Sequence, residues 1–550
     1  MKAIRVLATA ALVCAVGPAL GQAPSASLAP APSLSLAPQL DAQLLPLAQQ
    51  EAPQVVDTLR LLTSFDSGSG QAQGLGEVVA AIAAMAQGMG GEVERIRPAD
   101  GVVGPNLVLT FKGTGKARIL LIAHMDTVYP QGTAASRPFR IAGNRAIAPG
   151  IADAKSGIAV FLHVMKLLKA RGFTDYERVT MAFTSDEERG SVGSRDLIRS
   201  LAREHDVVLN GEPTGIDEGI VLGTSGVGQL AARIRPRVSG ASGASAGPVA
   251  RPIEELADMI LRTRDAQREV QGTRMNWTIL RAEDSAAVEK LPVPGFQYTT
   301  LVFAVKGRAS HAGVAPQLGV NAVEEVAAIV QRVGAAAARI NGVQVHWRNA
   351  SGGMVPNIIP DRGNLIGVVA MPAAADERAV IETLAAAGAK AMISGAEITA
   401  VTRPGLPERL EGVSQAFASA DQRVPDAQAY ADLVNVVRAK IAQTRFAGSE
   451  ITVTDGLFFP PFNATDEGRD LALLAKAING QLGASLTLYA RSYGGTDAAW
   501  ASQSGKPVVE GMGLPGGNYH SSDEEFVLID RIPRRLVLVA EMIRAMARRY

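Results

Sequence analysis

The chain predicts an α/β protein: an open, largely parallel sheet with helices, interrupted by a duplicated α+β segment. Three observations carry this reading. Apolar runs of strand length alternate with helix-periodic runs from about residue 105 to 225, and again near the C-terminus. Histidines and acids follow those strands, at the carboxyl edge where open α/β sheets hold their sites. The middle of the chain, about 229 to 463, reads as one small βαββαβ unit inserted inside another.

At 550 residues the chain exceeds one ordinary core, which predicts two or three domains. Hydrophobic residues at 47% and charged residues at 19% describe a globular protein, and a net charge of +1 gives no electrostatic pull toward nucleic acid or a membrane surface. Residues 1–21 read as an export signal: Lys2 and Arg5, an apolar run over 6–16, and small residues Ala19 and Gly21 at the cleavage site. That run is too short to span a bilayer, and no later one reaches about 18 apolar residues without a charge. Residues 22–40 form an Ala/Pro/Ser-rich linker. Cys14, the only cysteine, lies in the leader, so the mature chain has neither disulfide nor cysteine nucleophile. A secreted, periplasmic location follows as the expectation.

Strands are expected at 106–111, 117–123, 178–184, 206–209 and 507–512, and helices at 157–170 and 531–549. Strands separated by helices predict a parallel sheet covered on both faces, built from 41–228 and 464–550. His124 and Asp126 follow one strand in LLIAHMDTVYP, Glu187 and Glu188 the next in MAFTSDEERGS, and Glu212 a third in VVLNGEPT. Asp153 precedes a helix in PGIADAKSG, and His520 lies in the glycine-rich GLPGGNYHSSDEE. Singly, each has a plainer reading: a surface histidine, a solvated Glu-Glu pair, an Asp153 helix cap. Together at one sheet edge, a mixed histidine and carboxylate set without thiolate suits zinc or a similar divalent ion, held open for catalysis. His163, His205 and His346 lack such a context and read as structural.

Within the nested segment, the inner copy covers 296–405 and the outer copy 229–295 with 406–463. In the inner copy a strand is expected near 364–371, a helix near 374–389 and a strand near 395–402. Trp277 and Trp347 fall at matching points of the two copies. Only the inner copy has His311, in ASHAG, and Asn357, in VPNIIP; the outer copy reads VEKLP at the second spot. Only the outer copy has Arg423, in ADQR, where the inner reads IGVVAMP.

The segments HMDTVYP, GIADAKSG, TSDEERGSVGSRDLI, NGEPT, ASHAGVAPQLGVNA, GGTDAAW and GLPGGNYHS together resemble the glutamate carboxypeptidase and aminoacylase-like family of co-catalytic zinc peptidases. The likeness spans nearly the whole chain after the leader and is nearest to bacterial glutamate carboxypeptidases. It implies two zinc ions, or another divalent metal, per chain. Asp153 would bridge them, with His124 and Glu212 completing one ion and Glu188 and His520 the other. Glu187 would be the general base, and Asp126 would orient the His124 imidazole. Ala154 and Ser156 depart from the family, which commonly has an acid and a glycine there, but neither is a ligand.

In dimeric relatives, as the resemblance implies, the histidine and asparagine serve the neighbouring subunit's site while the arginine serves its own. Here each copy carries one half of that set, which implies a monomer imitating its own dimer, with one active site. His311 would donate to the oxyanion, Asn357 would support it, and Arg423 would bind a substrate carboxylate bidentately. Gly494 and Gly495 would bring backbone N–H groups close to the substrate, or else form a simple turn. The expected activity is exopeptidase cleavage at a free C-terminus, releasing acidic residues from peptides or amino-acid amides. The leader and duplicated segment also look like exo-type poly(aspartic acid) hydrolases. The alternatives are a dipeptidase, aminopeptidase or N-acyl-amino-acid amidohydrolase of the same family. A non-catalytic zinc or peptide binder would have no use for Glu187.

Overall fold

The structure, a computed structural model, describes residues 39–99, 101–237, 250–285, 293–313, 315–406, 412–520 and 524–550. The expected leader, the linker up to residue 38 and the VEKLP segment lie outside the described residues. The chain divides into two compact units: Val227–Leu457, and the described part of Gly21–Gly226 together with Phe458–Tyr550. Each has its own apolar core.

The unit that ends at Tyr550 begins with α1 (Leu44–Thr63), α2 (Ala72–Gly88), β1 (Glu92–Ile96), β2 (Asn106–Lys112) and β3 (Arg118–His124). It continues through α3 (Lys155–Ala170), β4 (Arg178–Thr184), α4 (Arg195–Glu204) and β5 (Val207–Asn210). Strand Val508–Glu510 and helix Ile532–Arg549 complete it near the C-terminus. The sheet order is β1, β2, β4, β3, β5, Val508–Glu510, then the short strands Ile220–Val221 and Leu488–Tyr489. Its centre is parallel, β3 pairing with β4 and β5, and β5 with Val508–Glu510, while β1 and β2 form an antiparallel edge.

The continuous apolar runs explain that centre. In β3 and β5 almost every residue is buried, as a strand covered on both faces requires. Each fully buried Leu or Ile there contributes roughly 1.5–3 kcal/mol. The elements expected from sequence in this unit form within one or two residues of their expected ends. Helix α3 starts at Lys155 rather than 157, and its N-cap is Ala154, so the helix-cap reading of Asp153 falls. Gly157 sits in the first turn for a steric reason. A Cβ there would stand 2.0 Å from the Gly211 carbonyl oxygen, so only glycine lets the helix start dock beside the end of β5.

The other unit follows as β6 (Gly226–Pro236), α5 (Pro252–Thr263), β7 (Arg274–Ser285), β8 (Phe296–Lys306), α6 (Ala322–Ala337) and β9 (Gln344–Gly352). Then come β10 (Arg362–Pro372), α7 (Glu377–Ala389), β11 (Glu397–Pro404), β12 (Gly412–Val424), α8 (Ala427–Ile441) and β13 (Ser449–Phe459). Its eight strands run β11, β8, β10, β9, β7, β12, β6, β13. Numbering each copy's strands one to four in chain order, both copies read four, one, three, two from their outer edge inward. They join antiparallel through their second strands, at Leu280 opposite Gly352 and Arg281 opposite Ser351. The register of β7 slips just after Trp277, and that of β9 just after Trp347. The same bulge therefore follows the same buried tryptophan in both copies.

A candidate two-cation centre

His124 is the last residue of β3, Glu187 and Glu188 open the turn that follows β4, and Glu212 lies two residues past β5. Because these strands run parallel, all three groups emerge at one edge. Asp153 arrives on the turn before α3. His520 follows the short strand Gly516–Gly517 with φ +56°, a left-handed backbone that costs a non-glycine residue roughly 1–2 kcal/mol.

Two donor sets result, His124 with Asp153 and Glu212, and Asp153 with Glu188 and His520, the donor atoms of each lying within 4.8 Å of one another. Asp153 belongs to both. Its Oδ1 is 3.0 Å from His124 Nε2 and its Oδ2 is 3.0 Å from His520 Nε2. His520 Nε2 lies 3.0 Å from Glu188 Oε1, and His124 Nε2 lies 3.6 Å from Glu212 Oε1. Two donors each about 2.1 Å from a tetrahedral zinc stand about 3.4 Å apart, so these spacings fit a cation in each set. Glu187 joins neither set, although its Oε2 is 3.9 Å from His124 Nε2.

The electrostatics point the same way. Burial raises the carboxyl pKa values of Glu187, Glu188 and Glu212, and neighbouring carboxylates add to the rise. Burial would also raise Asp153, but hydrogen bonds to the two imidazoles outweigh it and hold that carboxyl below its usual range. The imidazoles of His124 and His520 are pulled down by burial and then lifted well above 6.5 by the surrounding carboxylates. Two divalent cations would balance the four carboxylates of Asp153, Glu187, Glu188 and Glu212.

Buried groups that touch neither imidazole Nε2 hold the donors in place. The Asp126 carboxylate accepts the backbone N–H of Glu187 at 3.0 Å and of Glu188 at 3.2 Å, and the Ser69 hydroxyl at 2.6 Å. His124 Nδ1 bonds chiefly to the Asp126 backbone carbonyl, at 3.0 Å, with the carboxylate at 3.4 Å. Asp126 thus meets His124 chiefly through its main chain, leaving its side chain to hold the turn that carries Glu187 and Glu188. Asp497 accepts hydroxyl bonds from Thr184 and Ser191, and burial pushes its carboxyl up to about 6. Glu525 accepts the N–H groups of Gly150, Ala152 and Asp153. Sequence reasoning missed Ser69, Asp497 and Glu525. Asp497 sat unassigned inside GGTDAAW, and nothing in SSDEEF separates exposed Glu524 from buried Glu525.

Of the remaining expected residues, Gly494 donates its N–H to Ser492 Oγ at 3.2 Å, which belongs to the turn reading of that pair. His163 bonds to Thr58 and Glu51, and His205 to Thr180 and Leu201, structural positions both. His311, Asn357 and Arg423 lie in the duplicated unit. Strand Ser310–His311 pairs with Ile358–Ile359, and the Ala312 N–H donates to the Asn357 carbonyl at 2.8 Å, so both residues share one ribbon. His311 Nδ1 accepts the Gly313 N–H at 3.1 Å, which puts the ring proton on Nε2. Asn276 and Arg274, from the outer copy, bond to the carbonyls of Ala312 and Gly313 and so hold the inner copy's loop. Arg423 is 3% exposed and pairs bidentately with Asp421, through Nε at 2.9 Å and Nη2 at 2.7 Å.

Residues 120–545 match the family model described as peptidase family M20/M25/M40. The chain is 33% identical over 504 residues to Carboxypeptidase G2 of Pseudomonas sp. (strain RS-16), covering 92% of each protein. Among solved structures, it is similar to an M20 family metallo-carboxypeptidase, Sso-CP2, from Sulfolobus solfataricus. That match has a TM-score of 0.54 at 15% identity, covering 90% of this chain and 99% of the other. The di-peptidase Dug1p from Saccharomyces cerevisiae matches with a TM-score of 0.54 at 12% identity, covering 92% and 98%. At such identities these two structures speak for the fold alone.

Proposed function

The chain belongs to peptidase family M20/M25/M40, and from that premise we propose a secreted, zinc-dependent carboxypeptidase that releases acidic residues from the free C-terminus of peptide-like substrates. The observation that carries this reading is Asp153, one carboxylate with an oxygen toward each of two imidazoles. Glu187 lies 3.9 Å from His124 Nε2 and belongs to neither donor set, the position a proton carrier needs.

Divalent cations in the two donor sets supply Lewis acidity and lower the pKa of water. The Glu187 carboxylate takes the proton of the attacking water and returns it to the leaving amine as the amide bond breaks. Glu212 and Glu188 stay ionised as ligands, and Asp126 keeps Glu187 aimed through its main chain. His311, with its ring proton on Nε2, serves as oxyanion donor, Asn357 supports it, and Arg423 recognises the substrate's terminal carboxylate. The preference for acidic residues rests on the resemblance to glutamate carboxypeptidases, and oligo(aspartic acid) is the substrate to try first. The repeated strand order of the duplicated unit supports a monomer; a stable dimer by sedimentation at micromolar concentration would count against that.

The test follows product release from N-blocked oligo-aspartate, oligo-glutamate and N-acylated dipeptides, with zinc and after chelation. Zinc-dependent, stepwise loss of single acidic residues from blocked substrates is expected. Cleavage only of substrates with a free amine would reassign the chain to the dipeptidases of the family.

A further inference from the structure

Gly150 to Asp153 form a turn outside the sheet, so no strand ladder satisfies their backbone N–H groups. One side chain takes three of the four instead, while Ile151 donates to the Ala148 carbonyl at 3.3 Å. Glu525 Oε1 accepts from Ala152 at 2.9 Å and Asp153 at 3.1 Å, while Oε2 accepts from Gly150 at 2.8 Å and from the Tyr129 hydroxyl at 2.8 Å. Glu525 is 2% exposed, and its own carbonyl accepts the Ala148 N–H at 3.2 Å. The next residue, Phe526, pairs with Ile147. The segment just after His520 is thereby laced to the segment just before Asp153.

A carboxylate with four donors around it is rigid, because moving it breaks several charge-assisted bonds at once. We propose that Glu525 is a positioning residue for the shared ligand: it presets the Asp153 carboxylate between the two donor sets before any cation arrives. It touches no substrate and coordinates nothing. Because Asp153 belongs to both sets, loosening its turn weakens both cations together, whereas loss of an unshared ligand weakens one. The inference rests on the two-cation reading of the site.

Glu525→Gln tests it. The amide keeps one acceptor oxygen and turns an NH₂ group toward N–H donors. Zinc titration of the chain against a chromophoric chelator is expected to show both equivalents bound on the order of 10–100-fold more weakly. Excess zinc should restore turnover with KM unchanged, which a misfolded variant would not show. Tyr129→Phe removes one donor to the same carboxylate and should shift both affinities the same way by a smaller factor. In the metal-free wild type, the amides of Gly150, Ala152 and Asp153 should already exchange slowly. Wild-type affinity in both variants, or fast exchange of those amides without metal, overturns the proposal; if Glu525→Gln does not fold, Tyr129→Phe and the exchange rates decide. A wild type that binds no cation would overturn the two-cation reading as well, a result distinct from retained affinity in the variants.

Discussion

The Asp126 carboxylate accepts the backbone N–H of Glu187 at 3.0 Å, so the residue that braces the first imidazole also holds the turn that carries Glu187. Asp126 is fully buried, and its two oxygens take three donors besides the His124 ring. Asp126→Asn leaves at least one of those N–H groups facing an amide NH₂. The expected result is a stability loss of about 2–3 kcal/mol from unmet buried donors and a fall in kcat on the order of 10–100-fold. Thermal melts and steady-state kinetics at saturating zinc check both, and a variant that melts early yet turns over normally would separate Asp126 from catalysis.

Glu187 offers a cleaner separation, since it is in neither donor set. Glu187→Gln keeps the size and removes the proton acceptor. Turnover should fall by roughly 10²–10⁴-fold, the usual contribution of general acid–base catalysis. Both zinc equivalents should remain bound, as metal analysis of the purified variant would show. Turnover within tenfold of wild type would leave the proposed proton path without support.

The charge of the cluster makes a prediction about pH. In the metal-free chain, burial raises Glu187, Glu188 and Glu212 above 4.5, and surrounding carboxylates outweigh burial to raise His124 and His520 above 6.5. All five hold protons in the folded state that the unfolded chain has released. Their stabilisation is therefore present at low pH and lost as pH rises above about 4.5, and further above about 6.5. Asp153 works oppositely: lowered below 3.8, its contribution is lost only as pH falls beneath that value. Cations replace the lost protons, so the Tm difference between zinc-loaded and chelated protein should widen from about pH 5 to 8. A difference that stays flat across that range would mean the cluster does not titrate as a metal site does.

The two-sided strands and the turns that carry the clustered histidines and acids were legible because their physics is local: a continuous apolar run, then a histidine or acid at its end. The helix-cap reading of Asp153 failed for want of tertiary information, since only docking of Gly157 against Gly211 brings the turn to the sheet edge. Asp126 was expected to orient the His124 imidazole; that its nearest contact to the ring is the main-chain carbonyl, at 3.0 Å, is tertiary geometry that the motif does not encode. Glu525 was invisible for a similar reason: its partners are about 370 residues away in the chain. The nested repeat was legible in outline, through matching tryptophans, although the bulge that follows each one belongs to register and leaves no mark in composition.

Arg423 shows how burial complicates a functional assignment. Its guanidinium already grips Asp421 with two bonds, and both residues are 3% exposed. Arg423→Ala would strand a buried carboxylate at a cost of about 3–5 kcal/mol, whatever the substrate does. Lost activity in that variant alone proves nothing about recognition. Arg423→Lys with Asp421 retained keeps a cation beside the buried carboxylate, so neither charge is stranded, and destroys the planar fork. If Arg423 binds the substrate's terminal carboxylate, KM for a blocked peptide acid should rise roughly 10–100-fold, about 1.4–2.8 kcal/mol of lost charge-assisted bonding. The matching C-terminal amide, a poor substrate already, should be unaffected. Equal changes for acid and amide would assign Arg423 to holding β12 through Asp421, and leave the terminal carboxylate to another cation.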